Sequence, residues 1–320
     1  MYRDVEYPLW LTIGALSTSV SCWVYPELLK GVLMSHYFRA ILGISLLFLA
    51  QIVSADDGYT KSLFWQIKSE KGQPSVLVGS IHIGDPKVQP QIDRSLDLLK
   101  KSQRLVLEMD VQEMQKAATL LQGGGDIAFT QVLPADLIEK TKQALLKRGI
   151  SDTRFDKTPV WGAILILALP ANATPGMDAQ LLQAAQGAKR PVSGLESAAE
   201  QLGALRKLPL AIQQAILQSA LDHQDLLTKQ LQTLFSAYQA EDIQRLQDLA
   251  FESSAPDSLS AEQQAVVFDQ IINQRNTRML QRIKTHLKAG KALIAVGAMH
   301  LPGLLEGLTA EGFTVEPLEK

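Results

Sequence analysis

The chain has 320 residues, 46% hydrophobic and only 6% aromatic. Its 31 Lys and Arg stand against 33 Asp and Glu, a formal net charge of −2, and no basic run or Arg-rich tail occurs. That balance argues against nucleic acid as a partner. The one cysteine, Cys22, lies near the N-terminus, so the body of the chain has no disulfide, thiol chemistry or Cys-ligated metal.

From Met34 the chain reads Met-Ser-His-Tyr-Phe-Arg-Ala, then runs largely apolar from Ile41 to Val53 and ends in small residues before Asp56-Asp57. A basic start, a short apolar core and Val53-Ser54-Ala55 have the form of a secretory signal peptide, with cleavage expected after Ala55. The apolar core is too short to span a bilayer comfortably, which takes about 20 residues. Residues 1–33 then read as an over-long gene start. The alternative is an uncleaved anchor in which Leu9–Val24 pairs with Ile41–Val53. Cleavage leaves residues 56–320 as a periplasmic or secreted protein without a stable membrane anchor. A chain of that size can bury roughly 70–75% of the surface it exposes when unfolded.

Ser62–Ser69 and Ser75–Ile81 flank the polar turn Glu70-Lys71-Gly72-Gln73-Pro74 and predict a hairpin entering a sheet. Gln91–Ser102 carries Ile92, Leu96 and Leu99 at helical spacing, and Arg104–Leu107 is a short apolar strand, so the segment reads as a βαβ unit with parallel pairing. Helices are expected at Val111–Gln122, stopping at Gly123–Gly125, and at Ala135–Arg148. Another is expected at Pro159–Leu169, whose apolar run is short enough for a buried core helix. Asp178 is expected to cap a helix over Ala179–Gln186, and Asp110 also reads as a cap. Pro191–Leu195 returns as a strand, and Ser197-Ala198-Ala199-Glu200 is a capping box opening the next helix. Leu208–Ala250 reads as a long helical stretch broken near Ala240–Asp242. Ser254–Ser260 is a connector, and Ala261–Ala289 is helical into a last central strand, Ala292–Val296. Phe313–Val315 could add an edge strand. The expected fold class is α/β: a central mixed, largely parallel sheet built from both ends of the chain, helices packed on it, and a large helical insertion over about 111–290.

One short plan occurs twice. Val76–His82 and Leu293–His300 are each an apolar run followed by Gly-x-x-His. Both deliver an imidazole just past a strand's carboxyl end, the edge of an α/β sheet where ligands bind. Glu108 and Glu196 fall at two further strand ends. Two imidazoles and a carboxylate form a common catalytic metal set with open positions for water or substrate. No soft ligand is present to select among Zn, Mn, Co and Fe. Each residue also has a plainer reading: a satisfied structural histidine, a helix-start carboxylate at Glu108, a turn residue at Glu196. Arg275, in Arg275-Asn276-Thr277-Arg278-Met279, could clamp a carboxylate or stabilise an oxyanion, or lie on a solvated helix face. His36 lies in the signal-like segment, and His223 and His286 are expected to face water, so a three-histidine site is not expected. No Gly-x-Ser-x-Gly elbow, P-loop or Gly-x-Gly-x-x-Gly occurs.

Taken in order, Gly79-Ser80-Ile81-His82-Ile83-Gly84, Leu107-Glu108-Met109-Asp110, Gly176-Met177-Asp178, Gly194-Leu195-Glu196 with Gln201, Arg275-Asn276 with Met279, and Gly297-Ala298-Met299-His300-Leu301-Pro302-Gly303 resemble the TraB/PrgY/GumN family, which includes the Tiki-type metalloproteases. The resemblance runs from about Leu63 to Pro317 and looks closest to the bacterial GumN-like branch. It implies an active site of His82, His300 and Glu108 and divalent-metal-dependent peptidase chemistry. Tiki-like members are similar to a wider group with erythromycin esterases and haem-binding ChaN proteins. The C-terminal membrane anchor of Tiki proteins is not seen in this sequence.

The expectation is therefore an exported divalent-metal-dependent hydrolase acting on a peptide or other small hydrolysable substrate. His82 and His300 would hold the ion, with Glu108 as third ligand or base, Arg275 orienting substrate or stabilising the oxyanion, and Glu196 bracing a histidine. The alternatives are a metal-free His/Glu hydrolase or transferase, and a haem- or metal-binding protein without turnover. The Gln-rich helical segment could be a lid, a partner surface or an oligomer interface. N-terminal sequencing of the exported protein is expected to begin at Asp56; a start within residues 1–33 would contradict the processing scheme.

Overall fold

A computed structural model of the chain describes residues 59 and 61–319, apart from 71, 122–125, 169, 171–172 and 255–258. The signal-like segment, Cys22 and the Gly123–Gly125 stop lie outside the described residues. The first hairpin forms as its alternation predicts: β1 (Phe64–Lys68) pairs antiparallel with β2 (Ser75–Ser80), Trp65 opposite Leu77. A two-residue β3 (Ile83–Gly84), α1 (Gln89–Lys101) and β4 (Arg104–Leu107) come next.

Helices then dominate: α2 (Val111–Leu121), α3 (Phe129–Val132), α4 (Ala135–Lys147) and α5 (Val160–Leu167). The chain touches the sheets again at β5 (Thr174–Pro175), which precedes α6 (Met177–Gly187), and at β6 (Val192–Gly194). Beyond it lie α7 (Ala198–Arg206), α8 (Leu210–Asp222), α9 (Gln224–Gln239), α10 (Ile243–Ser254) and α11 (Ala261–Phe268). A π turn, Asp269–Asn273, joins α11 to α12 (Gln274–Ala289). The C-terminal part is β7 (Ala292–Gly297), a 3-10 turn over Ala298–His300, α13 (Leu301–Ala310) and β8 (Thr314–Pro317).

The main sheet has the order β6-β4-β7-β2-β1-β8. β6, β4, β7 and β2 run parallel, while β1 and β8 add antiparallel pairings at one side. The fold is α/β, with a mixed and mostly parallel sheet supplied by both ends of the chain. β2, α1 and β4 make the expected parallel crossover, but β2 and β4 are not neighbours, because β7 lies between them. Its sequence Ala-Leu-Ile-Ala-Val-Gly contains no polar side chain and is buried throughout, as a strand covered on both faces must be. At the far edge, β8 is mostly exposed.

Two helix predictions need refinement. The long stretch from Leu208 breaks at His223 as well as near Ala240, although neither Gly nor Pro stands at His223 to mark the point. The helix over Ala261–Ala289 is continuous in direction but contains the π turn, which periodicity alone does not reveal. By contrast, α5 is buried at every position, as its short apolar run predicts. Among the described residues no helix is long and apolar enough to cross a membrane.

Because β2 and β7 are parallel, the two Gly-x-x-His segments lie side by side with Gly79 opposite Val296 and Ser80 opposite Gly297. Gly79 is needed there for close packing. A Cβ would come within 2.6 Å of Leu301 Cδ1 and 3.0 Å of both Ala298 Cα and Leu63 Cδ2. Gly79→Ala is expected to destabilise the protein by about 1–3 kcal/mol through overpacking, read as a lowered urea midpoint. An unchanged midpoint would show that α13 can retreat at no cost.

Candidate active site

Four parallel strands aim their carboxyl ends at one edge of the sheet, and the chain turns there at His82, Glu108, Glu196 and His300. Glu196 is drawn beside Glu108 by backbone pairing, since its N–H donates to the Glu108 carbonyl at 2.7 Å. Helix α12 supplies the counter-charge. Its buried stripe runs Arg275, Asn276, Met279, Ile283 and Leu287, so a mostly apolar face opens on a guanidinium and an amide. The π turn just before α12 inserts one extra residue, which rotates the helix beyond it by about 100°.

Arg275 is 0% exposed and tied to both glutamates. Its Nε and Nη2 donate to Glu196 Oε2 at 2.9 and 2.6 Å, and Nη2 also donates to Glu108 Oε2 at 2.5 Å. Glu108 Oε2 further accepts from Gln201 Nε2 at 3.0 Å, and Oε1 from the Gly297 N–H at 2.7 Å. Burial would raise the Glu108 pKa, but Arg275, the two histidines and the Gly297 N–H outweigh it and hold it at about 2. Burial would likewise lower the Arg275 pKa, but Glu196 and Glu108 outweigh it and push it above its ordinary value. The expectation that Glu196 braces a histidine is not met by the geometry. It grips Arg275 instead, and Arg278 Nη2 approaches its other oxygen at 3.4 Å.

The two histidines are held alike, but their pKa values shift in opposite directions. His300 Nδ1 meets Asn276 Oδ1 at 2.7 Å, so the ring must donate there and its Nε2 is left as a lone pair. Burial and the nearby Arg275 depress its pKa to about 3, which keeps it neutral. His82 Nδ1 meets Asp178 Oδ2 at 2.8 Å, and Asp178 Oδ1 accepts from Ser80 Oγ at 2.8 Å. Burial alone would lower the His82 pKa, yet Asp178 and Glu108 raise it above its ordinary value.

Asp178 corrects an expectation. The helix α6 begins earlier than predicted, with Gly176 as its N-cap, and the Asp178 side chain belongs to His82 rather than to a cap. The approach requires Gly176: a Cβ there would lie 2.2 Å from the Ile81 carbonyl oxygen and 2.3 Å from the His82 carbonyl carbon. Asp110, by contrast, does cap α2, accepting from the Glu113 N–H at 3.0 Å. Tyr238, from α9, carries no sequence signal that singles it out; it is buried and donates to the Gly79 carbonyl at 2.6 Å. His223 is exposed as expected, whereas His286 is part-buried, with its pKa lowered by burial and by Arg104.

The sequence as a whole is similar to known proteins. The TraB/PrgY/gumN family model matches residues 63–317. The chain belongs to this family. It is 28% identical to the uncharacterized protein YbaP of Shigella flexneri over 235 residues, 72% of this chain and 84% of that protein. The identity to uncharacterized protein YbaP of Escherichia coli strain K12 is also 28%, over 233 residues, 71% of this chain and 83% of that protein.

As a metal centre the site fits in part. Among the described residues no group of three or more His, Cys, Asp or Glu side chains is disposed to hold a metal ion. Glu108 has turned one oxygen to Arg275. Yet His300 Nε2 is buried without a hydrogen-bond partner, 3.8 Å from Glu108 Oε1. Two acceptors facing one another across a buried gap require a donor or a cation. Ligands about 2.1 Å from a metal ion can stand up to about 4.2 Å apart, so this pair is spaced for one.

Removing Arg275 tests the electrostatic frame. A carboxyl with pKa about 2, below the ordinary 4.5, adds stability that is present above pH 4.5 and lost as pH falls toward 2. Arg275→Met strips Glu108 of its guanidinium and leaves Glu196 only the longer contact to Arg278, and is expected to cost about 3–5 kcal/mol at pH 7. The loss relative to the parent should shrink at about pH 3.5, because Glu108 deprived of Arg275 can then protonate. Urea melts of both proteins at the two pH values check this; equal midpoints at pH 7 would contradict it.

Proposed function

We propose that the protein is a divalent-metal-dependent hydrolase. His82 and His300 would hold the ion through Nε2, with Glu108 Oε1 as the third ligand. The unmet Nε2 of His300 beside an ionised Glu108 oxygen carries the proposal. Charge supports it as well: Glu108 and Glu196 are buried against Arg275 and, less closely for Glu196, Arg278, while Asp178 is buried against His82. The raised pKa of His82 marks the same shortage of positive charge. Bound Zn, Mn, Co or Fe would supply Lewis acidity toward a carbonyl and lower the pKa of water toward about 7.

The chain's own residues have distinct tasks in this scheme. Asp178 and Asn276 fix the Nδ1 side of each imidazole and thereby orient the ring, as partners of metal-binding histidines commonly do. Arg275 keeps Glu108 ionised and immobile. With its Nε and Nη2 committed to carboxylates, only Nη1 remains to address a substrate. The reading takes the chain to be exported, on the signal-like segment 34–55, and its substrate to be a peptide or another small hydrolysable molecule.

The Asp178–His82 pair favours a second reading. A histidine oriented by a carboxylate can serve as general base without a metal, with Glu108 and Arg275 as fixed charges. Elemental analysis of untagged protein separates the two. Near-stoichiometric metal in the parent, lost in both His82→Ala and His300→Ala, is expected, together with at least a ~100-fold fall in peptide hydrolysis in each. Hydrolysis that survives strong chelation would sink the metal assignment in favour of the His82 base. No hydrolysis across peptide and ester panels would sink both.

A further inference from the structure

Among the described residues, five buried side-chain polar atoms lack a hydrogen-bond partner, and four of them belong to His300, Arg275, Arg278 and Gln201. An unmet buried polar atom costs about 1–3 kcal/mol, so such a cluster calls for a ligand group of matching polarity. The unmet Arg275 atom is Nη1, a donor; that of Gln201 is Oε1, an acceptor. The Gln201 assignment is fixed chemically, because its other amide atom faces the ionised Glu108 Oε2 and must donate.

The two side chains that carry these atoms converge on one carboxylate oxygen. Arg275 Nη2 and Gln201 Nε2 meet on a single oxygen, Glu108 Oε2, at 2.5 and 3.0 Å. Nη1 and Oε1 are the sister atoms of those two nitrogens within rigid planar groups. Gln201 is 3% exposed and Arg275 0%, so neither is satisfied by open solvent.

We propose that Arg275 Nη1 and Gln201 Oε1 together read a substrate amide, and that Gln201 is the residue that distinguishes amide from ester. Arg275 Nη1 donates to the carbonyl oxygen, and Gln201 Oε1 accepts the amide N–H. An ester offers no hydrogen to Gln201 and leaves its oxygen unpaired. A carboxylate would stand against Glu108 and Glu196, and an amine has no acceptor for Arg275. A site built to bond a substrate N–H discriminates strongly against the analogue without it. The assignment rests on the hydrolase reading for its consequence in turnover, and on the unmet atoms alone for binding.

The test uses an alanine tetrapeptide blocked at both ends and its counterparts with lactate at each position in turn, so that one N–H at a time becomes an ester oxygen. Equilibrium binding is measured on the full-length protein without added metal. At least one lactate position is expected to weaken binding about 10-fold or more, corresponding to one unpaired buried acceptor. In Gln201→Met the tetrapeptide should fall to the affinity of that ester, closing the gap between them. Equal affinity across the series, including no measurable affinity for any member, overturns the assignment. Hydrolysis is assayed separately with Mn2+. Amide-selective binding without turnover would remove the hydrolase reading and leave the amide site; turnover without N–H selectivity would do the reverse.

Discussion

The buried ion cluster of Arg275 with Glu108 and Glu196 is the constraint around which the rest is arranged. Taking such charges out of water costs several kcal/mol each, and only close, well-aligned partners offset it. Here one guanidinium joins the ends of β4 and β6 to helix α12, three pieces of chain far apart in sequence. The cluster also sets the electrostatics of everything nearby. It holds Glu108 ionised, depresses His300 and leaves a lone pair and a carboxylate oxygen face to face.

Much of the scaffold was legible because strands and turns carry local signals. The Gly-x-x-His segments, the hairpin, the capping box at Ser197 and the all-apolar β7 arise from short-range chemistry. The neighbour relations of β7 do not, since nothing within Ala292–Gly297 says that it enters between β2 and β4. The break at His223 and the π turn before Arg275 are equally silent: both depend on what the helices pack against.

The site residues that local patterns undervalue share one signature. Asp178 lies with Leu181, Leu182 and Ala185, Gln201 with Ala198, Leu202 and Leu205, and Arg275 with Met279, Ile283 and Leu287. Each is a polar side chain on a mostly apolar buried helical face, accompanied in α12 by Asn276. Read locally, Asp178 resembles a cap and Arg275 a solvated position. Read along the stripe, each is a polar group that must find a partner inside. Family membership is consistent with this pattern, and the YbaP relatives are themselves uncharacterized, so the assignment of chemistry rests on the side chains and their unmet valences.

The central position of β7 bears on how the protein comes into being. In the folded sheet only β7 joins the β1–β2 hairpin to the β4–β6 pair, so neither piece can pair with the other without it. Such distant pairings slow folding and leave exposed edges that other chains can join. The same strand carries His300 on its outgoing turn and the Gly297 N–H that steadies Glu108. A chain that has not yet supplied β7 therefore lacks both of these groups. The candidate constellation is complete only once the last strand has paired, so its assembly waits for the end of the polypeptide.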